Sequence, residues 1–419
     1  MFAGTIGLAL GEVHSLLLNK DGSAWSSGMD TDGQLGLDST DFASKNFMQA
    51  IPGGVKAVAA GAYHSILLMS DNSVWATGKN DKGQLGDGTR INRNIFGPIK
   101  DATYSCINEF LFRKRFGAAK AIAAGGYHSM VLTSDGAVWT AGWNRYGQLG
   151  SRSNVDQRGF CVVITQGITA MAAGDIHSLV MGPDGHVWAT GGNVNGQLGD
   201  KTTEDKNRFV QVVAGGAKAI AAGSYHSMVL MQEGTVLAAG SNSAGQLADG
   251  MPQHRYSATF KLMRYYAWQR PNSSGAKAIA AGGQHSLVLK GDGSVWATGY
   301  NRYGQLGDYT TNNAYFLLLV VSSGATTIAA GGFHSMLLKK DGSVWATGSN
   351  RYYQSATGSE IYSRHFVGVT RTGMLHIVAC GLRHTFLSYY CHYCIFMEGG
   401  LDTPSFSYYY HCYYIYTFE

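Results

Sequence analysis

The chain has 419 residues, of which 57 are glycine and 6 are proline, with 45% hydrophobic residues and a net charge of +5. That hydrophobic content excludes an intrinsically disordered chain, and the lack of a Gly-X-Y period excludes a collagen-like one. The modest positive charge permits an acidic partner without requiring one. Six cysteines are too few for a disulfide framework, so we expect unpaired cysteines and a reducing compartment.

The N-terminal run MFAGTIGLAL lacks a basic segment and leads directly into a repeat, which disfavours a secretory signal peptide. No stretch approaches the roughly 20 apolar residues of a membrane helix. The sequence therefore predicts a cytoplasmic or nuclear protein without a membrane partner.

A repeat of about 50 residues organises the chain from its first residues to residue 388, a period typical of propeller blades. Each unit carries Gly-x-x-His-Ser or Gly-x-x-His-Thr. Because no carboxylate or cysteine recurs beside the histidine, we interpret it as structural, bonding backbone groups between strands. The motif occurs at His14, His64, His128, His177, His226, His285, His334 and His384.

The unit, clearest at residues 121–150, predicts four strands separated by recognisable turns. An inner strand of small residues suits a crowded axis, and the second strand leads to an Asp-Gly hairpin turn. The third strand carries a Trp that we expect to pack between blades, and a Gly-Gln-Leu-Gly loop then leads to an outer strand. The predicted strands in the best-preserved units are 121–125, 128–132, 138–142, 208–213 and 314–321.

The sequence therefore predicts an all-β fold, a β-propeller of about seven four-stranded blades over residues 1–388. The motifs leave one first strand and one second strand over. The extra strands replace others in a closing blade, pack outside the ring, or form an eighth blade completed by the tail. That tail, residues 389–419, is rich in tyrosine and cysteine, and it forms either closing strands or a poorly folded extension.

In six units recognisable versions of Gly-x-x-His-Ser, the Asp-Gly turn, Val-Trp-Ala-Thr-Gly and Asn-x-x-Gly-Gln-Leu-Gly, some with substitutions, follow one another in this order. This combination resembles the regulator-of-chromosome-condensation repeat family over residues 1–388. The resemblance implies a β-propeller with one of several roles: nucleotide exchange on the small GTPase Ran, β-lactamase inhibition, ultraviolet-B sensing, or interaction within ubiquitin ligases and scaffolds. The fold does not decide among them.

Two positions argue against particular roles of the family. Exchange-factor relatives have an acidic residue directly before one repeat histidine, whereas none of the eight positions here is acidic, and Asp175 lies one place too early. Light-sensing relatives have Trp directly after the motif glycine. Here that position holds Glu12, Ala62, Gly126, Asp175, Ser224, Gly283, Gly332 and Leu382, so the light-sensing role is disfavoured.

Antiparallel strands place the Gly-x-x-His turns and the Gly-Gln-Leu-Gly loops on one face, which we name the loop face. It gathers tyrosine and arginine, the residues most enriched at binding hot spots. We expect two basic, aromatic insertions, within 87–119 and 249–277, to extend it. In the alternative interpretation its aromatics pack between blades and its basic residues are only solvated. The candidate partner-binding residues are Tyr63, Tyr127, Arg145, Tyr146, Tyr225, Arg302, Tyr303, Phe333, Arg351 and Tyr352.

The opposite face, which we name the Asp-turn face, gathers lysines and aspartates whose charges offset one another, and we interpret it as a solvated rim. Its charged residues are Lys56, Lys120, Lys218, Lys277, Asp21, Asp71, Asp135, Asp292 and Asp341.

Enzymatic chemistry is not indicated. Cys391 and Cys394 form half of a zinc site, but the adjacent His411 and Cys412 make a poor second half, so we expect no metal. No phosphate loop or dinucleotide fingerprint is present, and we expect no cofactor.

The sequence thus predicts a non-catalytic interaction scaffold whose partner is a protein with an acidic surface. The main alternative is an exchange factor for a Ran-type small GTPase. Nucleic acid or chromatin is a weaker candidate partner, and inhibition of a secreted or cell-surface enzyme is a third role.

Overall fold

The computed structural model describes residues 4–39, 41–99, 104–105, 117–252, 255–266, 275–357 and 361–369. These residues form seven antiparallel sheets of four consecutive strands, arranged as the blades of a β-propeller. One further short strand, β9, joins the outer edge of the third sheet. The predicted fold class is therefore confirmed.

Within each blade the strands run outward from the axis in chain order. The first four blades consist of β1 (Thr5–Leu10), β2 (His14–Asn19), β3 (Ala24–Met29) and β4 (Ala43–Ile51); β5 (Val55–Ala60), β6 (His64–Met69), β7 (Val74–Gly78) and β8 (Arg93–Pro98); β10 (Ala119–Ala124), β11 (His128–Thr133), β12 (Val138–Gly142) and β13 (Gln157–Ile164), with β9 (Tyr104–Ser105) at its edge; and β14 (Ala170–Ala173), β15 (His177–Met181), β16 (His186–Gly191) and β17 (Lys206–Ala214).

The last three blades follow the same plan. They consist of β18 (Ala217–Ala222), β19 (His226–Met231), β20 (Val236–Ser241) and β21 (Tyr256–Leu262); β22 (Ala276–Ala281), β23 (His285–Lys290), β24 (Val295–Gly299) and β25 (Ala314–Val321); and β26 (Ala325–Ala330), β27 (His334–Lys339), β28 (Val344–Ser349) and β29 (Tyr362–Gly368). All five strands predicted in the best-preserved units lie within or overlap observed strands.

The hydrophobic core is divided into clusters that lie between neighbouring blades. Trp139 of the third blade is fully buried against Ile66, Leu68 and Val74 of the second. The other repeat tryptophans pack in the same way on the preceding blade, and Leu237 replaces the Trp in the fifth blade. The prediction that this Trp packs between blades is confirmed.

Two kinds of glycine position are forced by the fold. The motif glycine Gly174 faces the axis, where an added Cβ would lie 2.3 Å from the carbonyl oxygen of Gly223 in the next blade. Gly147 begins a Gly-Gln-Leu-Gly loop at φ +82, a conformation that favours glycine. Tyr353 takes the equivalent position in the seventh blade at φ 64, so that loop keeps its shape despite its divergent sequence.

A closed ring of side-chain hydrogen bonds joins all seven blades. The Nε2 atom of each motif histidine lies 2.8–2.9 Å from the Oγ atom of the motif serine in the next blade. The pairs are His14–Ser65, His64–Ser129, His128–Ser178, His177–Ser227, His226–Ser286, His285–Ser335 and His334–Ser15.

The last pair, His334–Ser15, closes the ring between the seventh blade and the first. The backbone N–H of Gly332 also donates to the carbonyl oxygen of Gly11 across the same junction. No space remains there for another blade, so the alternative of an eight-bladed ring is wrong. The eighth motif, His384, and the tail lie outside the described residues.

Each serine in the ring also fixes the tautomer of its histidine. The Ser178 hydroxyl donates its single hydrogen bond to the backbone carbonyl oxygen of Gln148, 2.7 Å away. The other six serines bond the backbone carbonyl oxygens of the equivalent glutamines at 2.6–2.8 Å. The serine oxygen must therefore accept from His128, which carries its proton on Nε2. The histidines bond serine side chains, not the backbone groups that we expected from the sequence.

Burial keeps these seven imidazoles neutral, because desolvation disfavours the charged form. It lowers the histidine pKa to about 3 at His14, His64, His177, His285 and His334, and to about 4 at His128 and His226. All seven histidines of the ring are therefore neutral Nε2–H donors at physiological pH.

Residues 104–105 and 263–266 of the two insertions lie at outer blade edges and not on the loop face, whereas residues 100–103, 106–116 and 267–274 lie outside the described residues. The fourth strands β8 and β21 begin soon after their loops, so the extra residues follow these strands. Tyr104–Ser105 pairs in parallel with β13, and Tyr265 forms a parallel bridge with Leu317 in β25. The expectation that the insertions extend the loop face is wrong for these residues.

Cys161 in β13 is disulfide-bonded. The expectation of unpaired cysteines is therefore wrong at this position. Motif spacing could not reveal this bond, because Cys161 lies in an outer strand and belongs to no repeated motif.

Replacing one ring serine by alanine should destabilise the protein measurably. Ser178→Ala leaves the buried Nε2–H of His128 and the carbonyl oxygen of Gln148 without their partner. We expect the free energy of unfolding, from urea denaturation, to fall by about 2–4 kcal/mol. The exposed Ser70→Ala is the matched control, with a change within about 0.5 kcal/mol. Equal effects of the two substitutions on the free energy of unfolding would contradict a stabilising role of the ring.

Candidate functional site

The predicted grouping of turns and loops on the loop face agrees with their contacts. Tyr127 in the Gly-x-x-His turn of the third blade contacts Trp143, which contacts Tyr146 in the loop of the same blade. On the Asp-turn face, the carbonyl oxygen of Gly22 accepts the N–H of Val55, joining a hairpin turn to the next inner strand.

The Arg–Tyr pairs lie on loops that are held rigidly from within. In the third blade the Asn144 Oδ1 atom accepts the N–H of Leu149 at 3.0 Å, and the Gln148 Oε1 atom accepts the N–H of Tyr146 at 3.1 Å. The N–H groups of Tyr303 and Tyr352 are held in the same way by glutamine side chains. The motif therefore presents Arg145, Arg302 and Arg351, all exposed, from fixed backbone positions.

One aromatic cluster spans the second and third blades. The rings of Tyr63 and Tyr127 are 6.0 Å apart between centroids, and Trp143 packs edge-on against Tyr127 at 5.9 Å and Tyr146 at 5.3 Å. The Lys79 Nζ atom lies 5.4 Å from the Tyr63 centroid and 5.9 Å from that of Tyr127. These three tyrosines are half-buried, so they contribute both to packing and to the surface.

A second aromatic cluster spans the sixth and seventh blades. Tyr303 and Phe333 are 5.5 Å apart, and Tyr300 lies 6.2 Å from each of them. Sequence reasoning missed Trp143 and Tyr300. Both directly follow the third strand and precede the loop asparagine, a position whose aromatic character could have revealed them.

The remaining candidates are more isolated. Tyr225 is 37% exposed, and no contact places it in either aromatic cluster. Tyr352 lies 6.4 Å from the exposed Phe42 of the first blade, and the Arg351 guanidinium lies 5.8 Å from the Tyr352 ring. The candidate residues thus share one face, and the structure brings six of the ten into two clusters or onto Phe42.

Two carboxylates near the axis complete this face. Glu12 and Asp175 occupy the second position of their Gly-x-x-His turns, in the first and fourth blades. Desolvation raises the pKa of each carboxyl group, and the charge of Asp175 raises the pKa of Glu12 further. Desolvation and the Glu12 charge also raise the pKa of Tyr63 to about 12. Sequence reasoning noted Asp175 only as a misplaced acid and did not select Glu12.

Aspartates of the Asp-turn face form hydrogen bonds within their own turns. The Asp71 Oδ1 atom accepts hydrogen bonds from the Ser73 N–H at 2.9 Å and the Ser73 hydroxyl at 2.6 Å, and these bonds lower the Asp71 pKa. The Lys56 ammonium donates to the Asn72 side chain at 3.3 Å. Several of these charges are therefore used in holding turns and strands.

In the described ranges, no group of three or more His, Cys, Asp or Glu side chains is arranged to hold a metal ion. Cys391, Cys394, His411 and Cys412 lie outside those ranges. None of the described segments contains a helix that could span a membrane.

Family comparison agrees with the repeat and the fold. The RCC1-like domain model matches residues 108–389, and the regulator of chromosome condensation (RCC1) repeat models match residues 21–68, 55–84 and 71–132. The first match covers more than half of the chain. The protein belongs to the regulator of chromosome condensation (RCC1) repeat family.

Several solved structures share the fold. Human WBSCR16 is 22% identical, with a TM-score of 0.69 over 81% of this chain and 88% of that one. Yeast RCC1 (Prp20), bound to Kap60, is 20% identical, with a TM-score of 0.73 over 87% of this chain and 86% of that one. Prp20p from Saccharomyces cerevisiae is 20% identical, with a TM-score of 0.71 over 88% of each chain. Likeness at these identities establishes the fold alone.

Proposed function

We propose that the protein is a non-catalytic scaffold that binds a partner protein through its loop face. The carrying observation is the set of three exposed arginines, Arg145, Arg302 and Arg351, on loops whose backbone is fixed by buried Asn and Gln side chains. Because the loop backbone is already fixed, it loses little further conformational entropy on binding. The charge of the arginines favours an acidic surface on the partner.

The aromatic clusters support the same surface. Tyr303 and Tyr225 are each 37% exposed, and Tyr303 packs against the half-buried rings of Tyr300 and Phe333. Rings that are already packed against one another can bury their remaining area without reorganising. This arrangement combines aromatic anchors with a charged periphery, as protein interfaces do.

The basic insertions are not part of this proposal, because their described residues lie at outer blade edges. The proposed surface therefore consists of the motif turns and loops alone. This limits the charge available for nucleic acid and favours a protein partner.

Reversing the loop-face charge should weaken partner binding. We expect the triple substitution Arg145→Glu, Arg302→Glu and Arg351→Glu to raise the Kd at least tenfold, because arginines opposite acidic groups become repulsive. The partner is first isolated by quantitative affinity capture on the native protein and then titrated calorimetrically in purified form. The matched control, Lys56→Glu, Lys218→Glu and Lys277→Glu on the Asp-turn face, should leave the Kd within twofold. Equal loss in both variants would argue against the loop face.

The second candidate is a guanine-nucleotide exchange factor for a Ran-type GTPase. Two observations favour it. The similar yeast protein Prp20p was studied for its binding to Gsp1p and histones, and Glu12 and Asp175 place carboxylates near the axis of the loop face. Against it, no residue directly before a repeat histidine is acidic.

Release of a fluorescent GDP analogue from purified Ran separates the two candidates. With this protein at micromolar concentration, we expect release to accelerate less than twofold. Prp20p serves as the positive control. Acceleration of a hundredfold or more would establish exchange activity and overturn the scaffold assignment.

A further inference from the structure

The centre of the loop face differs in charge from its periphery. That periphery carries the exposed Arg145, Arg302 and Arg351, which we name the arginine rim. Glu12 and Asp175 belong to the first and fourth blades, and both lie in turns that directly follow an innermost strand. Tyr63, Tyr127 and Tyr225 stand directly before the histidines of the second, third and fifth blades. We name these five residues the axial cup.

The two acidic side chains lie over glycines of the neighbouring blades. An added Cβ on Gly332 would lie 2.9 Å from the Glu12 Cγ atom, and one on Gly126 would lie 3.2 Å from the Asp175 Oδ1 atom. Neither glycine has a positive φ, so space and not backbone conformation requires glycine there. The glycines create the room in which the carboxylates lie near the axis.

The cup holds two carboxyl groups, and burial raises the pKa of both. Burial raises the pKa of the Tyr127 and Tyr225 hydroxyls, and the charges of Glu12 and Asp175 raise both further. Asp175 also accepts a hydrogen bond from Ser224. Among the ion pairs of the described residues, none joins Glu12 or Asp175 to a lysine or arginine.

The aromatic wall of the cup already accommodates a cation at its edge. The Lys79 ammonium lies 5.4 Å from the centroid of Tyr63 and 5.9 Å from that of Tyr127, within the range of cation–π attraction. The Tyr63–Tyr127 pair therefore already contacts one cation of the protein itself. Tyr225, the most exposed of the three rings, has no such contact in the described part of the chain.

We propose that the axial cup receives a lysine or arginine side chain projecting from the partner protein. The inference rests on the proposed function and specifies what the centre of the loop face binds. The arginine rim contacts acidic residues of the partner, and the cup binds one basic residue. Carboxylates at the axis and tyrosine faces at the wall both attract a cation. An acidic or phosphorylated segment would be repelled at the same place.

The test uses a fluorescently labelled octa-arginine peptide and the whole protein, with binding followed by fluorescence anisotropy at low salt. The double variant Glu12→Gln, Asp175→Asn should bind the peptide at least tenfold more weakly than the native protein. The matched control Asp71→Asn, Asp341→Asn removes two carboxylate charges from the Asp-turn face and should change the Kd less than twofold. Equal Kd values for the two variants would overturn the proposal.

The aromatic part of the cup has its own variant. Tyr225→Leu keeps a large side chain and should weaken binding of the peptide about fivefold, as expected for loss of one cation–π contact. Circular dichroism and thermal melting establish that each variant is folded. Competition by millimolar Ca²⁺ or Mg²⁺ that disappears in the Glu12→Gln, Asp175→Asn variant would show that the cup binds an inorganic cation, and would overturn the proposal.

The rim variant distinguishes this proposal from the proposed function. The triple Arg→Glu variant should bind octa-arginine at least as tightly as the native protein does, because repelling charges have been removed. If the isolated partner loses affinity for the rim variant but not for the cup variant, the loop-face scaffold stands and the cup proposal fails. Loss only in the cup variant would instead refute the arginine rim.

Discussion

The interaction on which the rest of the structure depends is the hydrogen bond from a buried histidine to a serine of the next blade. Repeated seven times, it closes on itself through His334 and Ser15. Each serine hydroxyl also donates a hydrogen bond to the backbone carbonyl oxygen of a loop glutamine. One histidine–serine unit therefore joins a turn, a neighbouring strand and a loop. Among the described residues, isolated backbone bonds and not a continuous ladder join neighbouring blades, and this ring adds a repeated directional bond that apolar packing lacks.

The ring also supports the loop face that we propose as the binding surface. The motif turns and loops are fixed from below by His, Ser, Asn and Gln side chains, and the positions between them differ from blade to blade. Arg145, Arg302 and Arg351 occupy one such position, and Glu12 and Asp175 another. The frame stays constant while the surface carries an arginine rim around an acidic, tyrosine-lined centre.

Most of the fold could be predicted from the sequence, because each repeat carries its turns and its strand alternation explicitly. The placement of the tryptophans between blades and the sharing of one face by two loop types followed from that pattern. The partner of the histidines could not be predicted, because it lies one blade away. The insertions were misplaced because motif spacing does not show where the fourth strand begins, and Glu12 was missed because its importance depends on Asp175 across the axis.

The central claim is tested most directly by the pH dependence of the unfolding free energy, measured by urea denaturation between pH 8 and pH 5.5. The seven folded-state pKa values of about 3 or 4 lie below the unfolded value of about 6.5. The unfolded state therefore binds more protons in this window, and stability is lost as the pH falls. We predict a slope near pH 6 corresponding to uptake of about five protons, after allowing for the raised pKa of Asp30, about 6. A slope of one proton or less would contradict a ring of neutral, buried histidines.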